Sequence, residues 1–154
     1  MGPLQVALTH TEVIDMGKIN WGRVLGGGLL AGVVLNVWDF LINGMWLKND
    51  WNAAMHALGK GDMAGSEILW FVVCDFIVGI WLVWLYAAIR PRYGMGPKTA
   101  AMGAFAFWLV TVGFQLAQGG MGLFPMNLIV ISTLASLVGM LLAAQAGAWQ
   151  YKEM

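Results

Sequence analysis

The stretch Gly28-Leu29-Leu30-Ala31-Gly32-Val33-Val34-Leu35-Asn36-Val37-Trp38-Asp39-Phe40-Leu41-Ile42-Asn43 is almost continuously apolar, yet it carries two amides and a carboxylate. Extended to residues 24–47, it exceeds the roughly 20 residues that a helix needs to cross ~30 Å of hydrocarbon. Three further stretches meet the same length, at 68–89, 99–117 and 126–149. Each reads as a helix, because an open strand leaves its backbone polar groups unpaired in lipid. The expected fold is all-α: a polytopic membrane protein built as a four-transmembrane-helix antiparallel bundle, with a short interfacial helix in the first outer loop.

The composition of the 154 residues agrees. Hydrophobic residues make up 60% and charged residues 10%, with a mean hydropathy of +0.73. A water-soluble domain usually carries about 25% charged residues. The eight Lys and Arg balance the eight Asp and Glu, which removes the basic footprint of a nucleic-acid binder. The single cysteine, Cys74, excludes an intrachain disulfide and a cysteine metal cluster. Spans and connections use nearly the whole chain, so function is expected inside the bundle or in its loops. The organisation expected is a tail at 1–20, a membrane domain at 21–150 and a short tail at 151–154.

Basic residues set the orientation, since cytoplasmic loops are enriched in Lys and Arg. Lys18, Arg23, Arg90, Arg92, Lys98 and Lys152 fall on one side of the four spans, and Lys48 and Lys60 on the other. Both termini are therefore placed in the cytoplasm of a multi-pass cell-membrane protein. Trp46, Trp51 and Trp70 form the expected outer aromatic belt, and Trp21, Trp84, Tyr93, Trp149 and Tyr151 the inner one. Trp38, Trp81 and Trp108 lie deeper and read as packing residues.

Residues 1–20 have no basic n-region or long apolar core, so they do not read as a secretory signal. Met1-Gly2 lacks the downstream Ser or Thr of a myristoylation signal, Val6 standing there instead. Met16-Gly17-Lys18 makes a more typical start for a bacterial inner-membrane protein, and residues 1–15 are expected to lie on the surface or be poorly ordered. In the outer loop, Asn49 or Asp50 is expected to cap a short helix presenting Trp51, Ala54, Met55 and Leu58 on one face, ended by Gly59-Lys60-Gly61-Asp62. Ser66 and Glu67 are expected to cap the second span. Pro91 and Pro97 are expected to stop one helix and start the next.

Within the first span, Gly28, Gly32, Asn36, Asp39 and Asn43 follow one another at intervals of four, four, three and four residues. One face is thus small near one end and polar toward the other. Gly28 and Gly32 form a helix-packing pair that lets a second helix approach closely. Asp39 and Asp75 are the costly residues, since Asp near a helix centre disfavours insertion by about 2.5–3.5 kcal/mol. Counting from the span midpoints at ~1.5 Å per residue, both lie roughly 5–6 Å outside the midplane, at matched depth on antiparallel helices. Facing each other, they share a proton or hold a cation between them, and Asn36, Asn43 and Gln115 complete an oxygen-rich pocket. Ser132 and Ser136 add hydroxyls from the fourth span. The competing reading is structural: neutral acids bonded to nearby amides as helix glue.

Other chemistries find less support. Met45, Met55, Met63, Met121 and Met126 accompany His56 near the outer face, but no Met-x-x-Met or His-rich cluster for a soft metal occurs. No metal and no cofactor is expected, and His10 and His56 lie outside the spans, which leaves no paired-histidine haem site. Gly26-Gly27-Gly28 lacks the Gly-Lys-Ser/Thr of a phosphate loop. Cys74 has no basic neighbour in its span and reads as an inert thiol. No catalytic triad or hydrolase motif occurs, so the protein is expected not to be an enzyme. The strings that follow Asp39 and Asp75 look alike, Asp-Phe-Leu-Ile and Asp-Phe-Ile-Val, as an inverted repeat would; with one such pair, coincidence is the safer reading.

Ala31-Gly32-Val33-Val34-Leu35-Asn36-Val37-Trp38-Asp39-Phe40 and Leu85-Tyr86-Ala87-Ala88-Ile89-Arg90-Pro91-Arg92-Tyr93-Gly94 resemble small uncharacterised bacterial membrane proteins with four spans. That resemblance, over residues 16–150, implies a bacterial inner-membrane location and no particular activity. Two functions are expected from the residues. The first is association in the lipid bilayer, as a homo-oligomer or an accessory subunit of a membrane complex. The alternative is a small proton- or cation-binding transport unit using Asp39 and Asp75.

Overall fold

The computed structural model describes residues 19–63 and 65–151. Expectations for residues 1–18 and 152–154 lie outside the described residues. Helix α1 spans Trp21–Asp39 and continues without a break as a π-helical segment, Phe40–Trp46. A short α2 follows at Lys48–Ala57, then α3 at Ser66–Tyr93, α4 at Pro97–Gly120 and α5 at Met126–Gln150. No strand occurs among the described residues. Trp21–Trp46, α3, α4 and α5 are each long and apolar enough to cross a membrane. The four-span all-α bundle is therefore present, with each expected span extended at one or both ends.

Helix α1 packs most extensively on α3 and α5, and α4 packs chiefly on α5. Glycines set these contacts. A Cβ on Gly28 would come 2.5 Å from Ile80 Cα, and one on Gly32 2.9 Å from Phe76 Cα. Gly79 answers from α3, where a Cβ would stand 2.6 Å from the Gly28 carbonyl oxygen. On the α5 side, a Cβ on Gly27 would lie 2.7 Å from the Gly147 oxygen. Gly28 and Gly32 thus both lie close against α3. Trp38 and Trp108 pack as expected and add directional bonds: their Nε1 groups donate to the backbone oxygens of Ala135 and Thr133, each at 2.9 Å. Trp81 instead is half exposed and lies against Trp84, ring centroids 4.7 Å apart.

The core sits toward the end of the bundle where α1 starts and α5 ends. In α3 the buried residues are Gly79, Leu82, Val83, Tyr86 and Ala87, and in α4 Thr99, Ala100, Gly103 and Ala104. No described residue of α3 before Gly79, or of α4 after Ala104, is buried. At the α2 end those two helices present Ile68, Leu69, Trp70, Phe71, Leu109 and Phe114 outward. The α3–α4 seam is closed at one end of the molecule and open at the other.

Several local expectations are corrected. Leu47, not Asn49 or Asp50, occupies the cap position of α2, and no side chain caps it; Leu47 is instead buried with Ala54 and Leu128, so packing fixes where α2 starts. Ser66 is already the first residue of α3, and Gly65 takes the cap position without a side-chain bond. Glu67 still lies in the first turn, where its charge suits the helix dipole. Pro91 does not stop α3, which runs on to Tyr93. Pro91 gives up one i→i−4 bond without ending the helix, and the stop comes at Gly94, whose φ of 84° only glycine adopts freely. Tyr151 belongs to no interfacial belt: it is buried, its hydroxyl accepts from the Asn20 amide at 3.3 Å, and Arg90 lies over its ring. The strings after Asp39 and Asp75 differ in geometry, one π-helical and the other α-helical.

Candidate intramembrane polar site

The α1–α3 register places each polar side chain. Gly28 meets Ile80 and Gly32 meets Phe76, and the Asn36 amide donates to Val72 O at 3.4 Å. These pairs share one antiparallel register, which sets Asp39 opposite residue 69 and Asp75 opposite residue 33. The two acids are therefore staggered by about six residues, or ~9 Å along the axis. The matched depth expected from span midpoints is not found, because glycine contacts set the register and span centres do not. Each Cβ leans toward its own helix N-terminus, so the two side chains lean toward each other across the stagger.

Asp39 continues the buried stripe of Gly28, Gly32 and Leu35, and Asp75 continues that of Gly79, Leu82 and Tyr86. Both therefore point to the bundle side of their helices, each only partly buried. Among the described residues neither carboxyl makes a hydrogen bond. Asp75 lies just beyond the last buried residues of α3, where the α3–α4 seam opens.

The remaining residues of the expected pocket are not gathered around the acids. Asn36 lies between their levels, but its amide also donates to Gly32 O at 2.9 Å. Asn43 Oδ1 accepts from Trp51 Nε1 at 3.0 Å, which ties the π segment to α2. Gln115 lies farther out: Trp108 meets Thr133 and Gly119 meets Met126, so Gln115 is level with the start of α5, roughly 12 Å beyond Asp39 along the axis. Ser132 and Ser136 donate to carbonyls of their own helix, Ile129 O at 3.1 Å and Thr133 O at 2.8 Å. The Asn43–Trp51 bond was missed in the sequence because the spacing of Asn43 from Asp39 fits an α-helix as well.

No three His, Cys, Asp or Glu side chains converge among the described residues. His56 of α2 and Asp62 of the exposed segment after it pair at 2.7 Å, away from the acids. Cys74 is exposed on α3. No known protein family matches the chain, and no curated protein or solved structure is similar to it. The class defined by fold and site is a four-span helical membrane protein with two staggered intramembrane acids.

Proposed function

We propose that the protein is a non-enzymatic bacterial inner-membrane protein with both termini in the cytoplasm, acting by lateral association as a homo-oligomer or as an accessory subunit. The observation that carries this reading is the pairing of Asp39 and Asp75 with an unclosed seam. Among the described residues neither carboxyl, each on a bundle-facing stripe, makes a hydrogen bond, and beside them no described residue of α3 before Gly79 or of α4 after Ala104 is buried. Intramembrane acids face protein or water-filled cavities because hydrocarbon solvates them poorly. A neighbouring chain over the open seam supplies that cover, and it draws on the packing and hydrogen bonding that drive helix association in lipid.

A second reading is supported by the lean of the Asp39 and Asp75 side chains toward each other in the α1–α3 register: the pair binds a proton or small cation as part of a transport unit. Purified protein in liposomes separates the two. Association predicts no proton or cation flux above empty liposomes. Transport predicts a flux that Asp39→Asn and Asp75→Asn each reduce at least tenfold while leaving the assembly intact. A flux of that kind overturns association as the primary role.

A further inference from the structure

On the reading that the protein acts by association, we infer that the open α3–α4 seam receives the membrane-spanning helix of a different protein, one that carries a Lys or Arg level with Asp39 and Asp75. The seam has two apolar walls. Near its closed end a Cβ on Gly103 of α4 would meet Leu85 and Ile89 of α3, each at 3.6 Å. Toward the α2 end the Leu85 stripe continues at helical spacing through Val78 and Phe71, and the Gly103 stripe through Val110 and Phe114. Phe71, Val110 and Phe114 are 58%, 58% and 72% exposed. The faces that meet at one end of the molecule therefore part at the other. Asp75 borders this opening from the bundle side of α3, and Asp39 leans toward it from α1.

Charge decides the occupant. No Lys, Arg or His lies between Arg23 and Lys48, between Lys60 and Arg90, or between Lys98 and Lys152. Arg23 precedes Asp39 by 16 residues and Arg90 follows Asp75 by 15, which sets them roughly 22–24 Å away along their helices. Lys48 begins α2, beyond the end of the first span. A second copy inserted the same way up thus brings two more acids to this level and no cation. The nearest amide is already used, since Asn36 donates to Gly32 O and Val72 O. Acids inside a membrane pair with a countercharge or face water, and this chain holds no countercharge at their depth. A foreign helix with one basic residue supplies it. The aliphatic stem of Lys or Arg lies along apolar walls such as Phe71 and Val78 while its head group, rich in donors and free of acceptors, meets acceptor-only carboxylates.

The test uses the full chain reconstituted in liposomes with synthetic, Trp-free Leu/Ala helices of about 22 residues, long enough to span. The helices carry a dansyl label and identical flanks, and they differ at one position about a third of the way in from one end, which holds Lys, Gln or Leu. Energy transfer from the protein's tryptophans to dansyl measures binding. The Lys helix is expected to bind about tenfold more tightly than the Leu helix, as charge-assisted bonds give, and more tightly than the Gln helix. Asp39→Asn and Asp75→Asn are each expected to remove most of that preference, and Asp75→Glu to keep it. If the Asn variants do not fold, the three helices against wild type decide alone. Equal binding of the Lys and Leu helices overturns recognition by charge and leaves association standing. Energy transfer between differently labelled copies of the protein that depends on both acids, with no preference for the Lys helix, puts a second copy in the seam and overturns the foreign partner. Absence of both kinds of binding overturns association itself, and the inference with it.

Discussion

Gly79 governs how closely α1 and α3 approach, since a Cβ there would run into the backbone of Gly28 and Gly32. Backbone cannot swing aside as a flexible side chain can. Gly79→Ala is therefore expected to destabilise the bundle by about 1–3 kcal/mol, the usual cost of overpacking. Gly113 is the matched control, because nothing lies within 4 Å of a Cβ built there. Gly113→Ala is expected to be neutral or stabilising by up to about 1 kcal/mol through helix propensity. Denaturant titration in mixed micelles measures both, and equal effects would contradict the close α1–α3 contact. A smaller effect belongs to Trp38, whose indole bonds to Ala135 O. Trp38→Phe is expected to cost about 0.5–1.5 kcal/mol in the same titration.

At the scale of elements, α3 separates what stops a helix from what merely interrupts its bonding. Pro91 lies within it and Gly94 ends it. Gly94→Ala is expected to cost about 1–2 kcal/mol, because φ is 84° there and the left-handed region penalises a Cβ. Pro91→Ala is expected to be neutral or mildly stabilising, since it restores a backbone donor. Thermal unfolding followed by circular dichroism distinguishes the two, and a larger loss for Pro91→Ala would return the stop to the proline. The spans were legible in the sequence because twenty apolar residues admit one solution in lipid. The packing role of Gly28 and Gly32 was legible from their spacing. The stagger of Asp39 and Asp75 was not, because it depends on where Gly79 docks, a contact that no single span encodes. The fate of Asn43 was hidden for a different reason: nothing in Phe40-Leu41-Ile42-Asn43-Gly44-Met45-Trp46 marks a change from α to π hydrogen bonding.

For the whole molecule, the four spans put the loop after α2 and the loop between α3 and α4 on opposite sides of a membrane. Met95 and Lys60 are both exposed. In a Cys74→Ser background, Lys60→Cys is expected to react with a membrane-impermeant maleimide in intact cells, and Met95→Cys only after permeabilisation. The reverse pattern would invert the orientation drawn from the basic residues. The bundle itself is tight around Val24, Ala31, Leu82, Val83 and Ala143, each nearly or fully buried, and loose where α3 and α4 part. That asymmetry links the fold to the proposed role, since a closed end holds the helices in place while an open end leaves two acids short of partners. Native mass spectrometry of the protein extracted directly into lipid nanodiscs tests this most directly. The account predicts a mass of two or more copies of the 16.7 kDa chain, or of one copy with a fixed protein partner; a single chain accompanied only by lipid would contradict it.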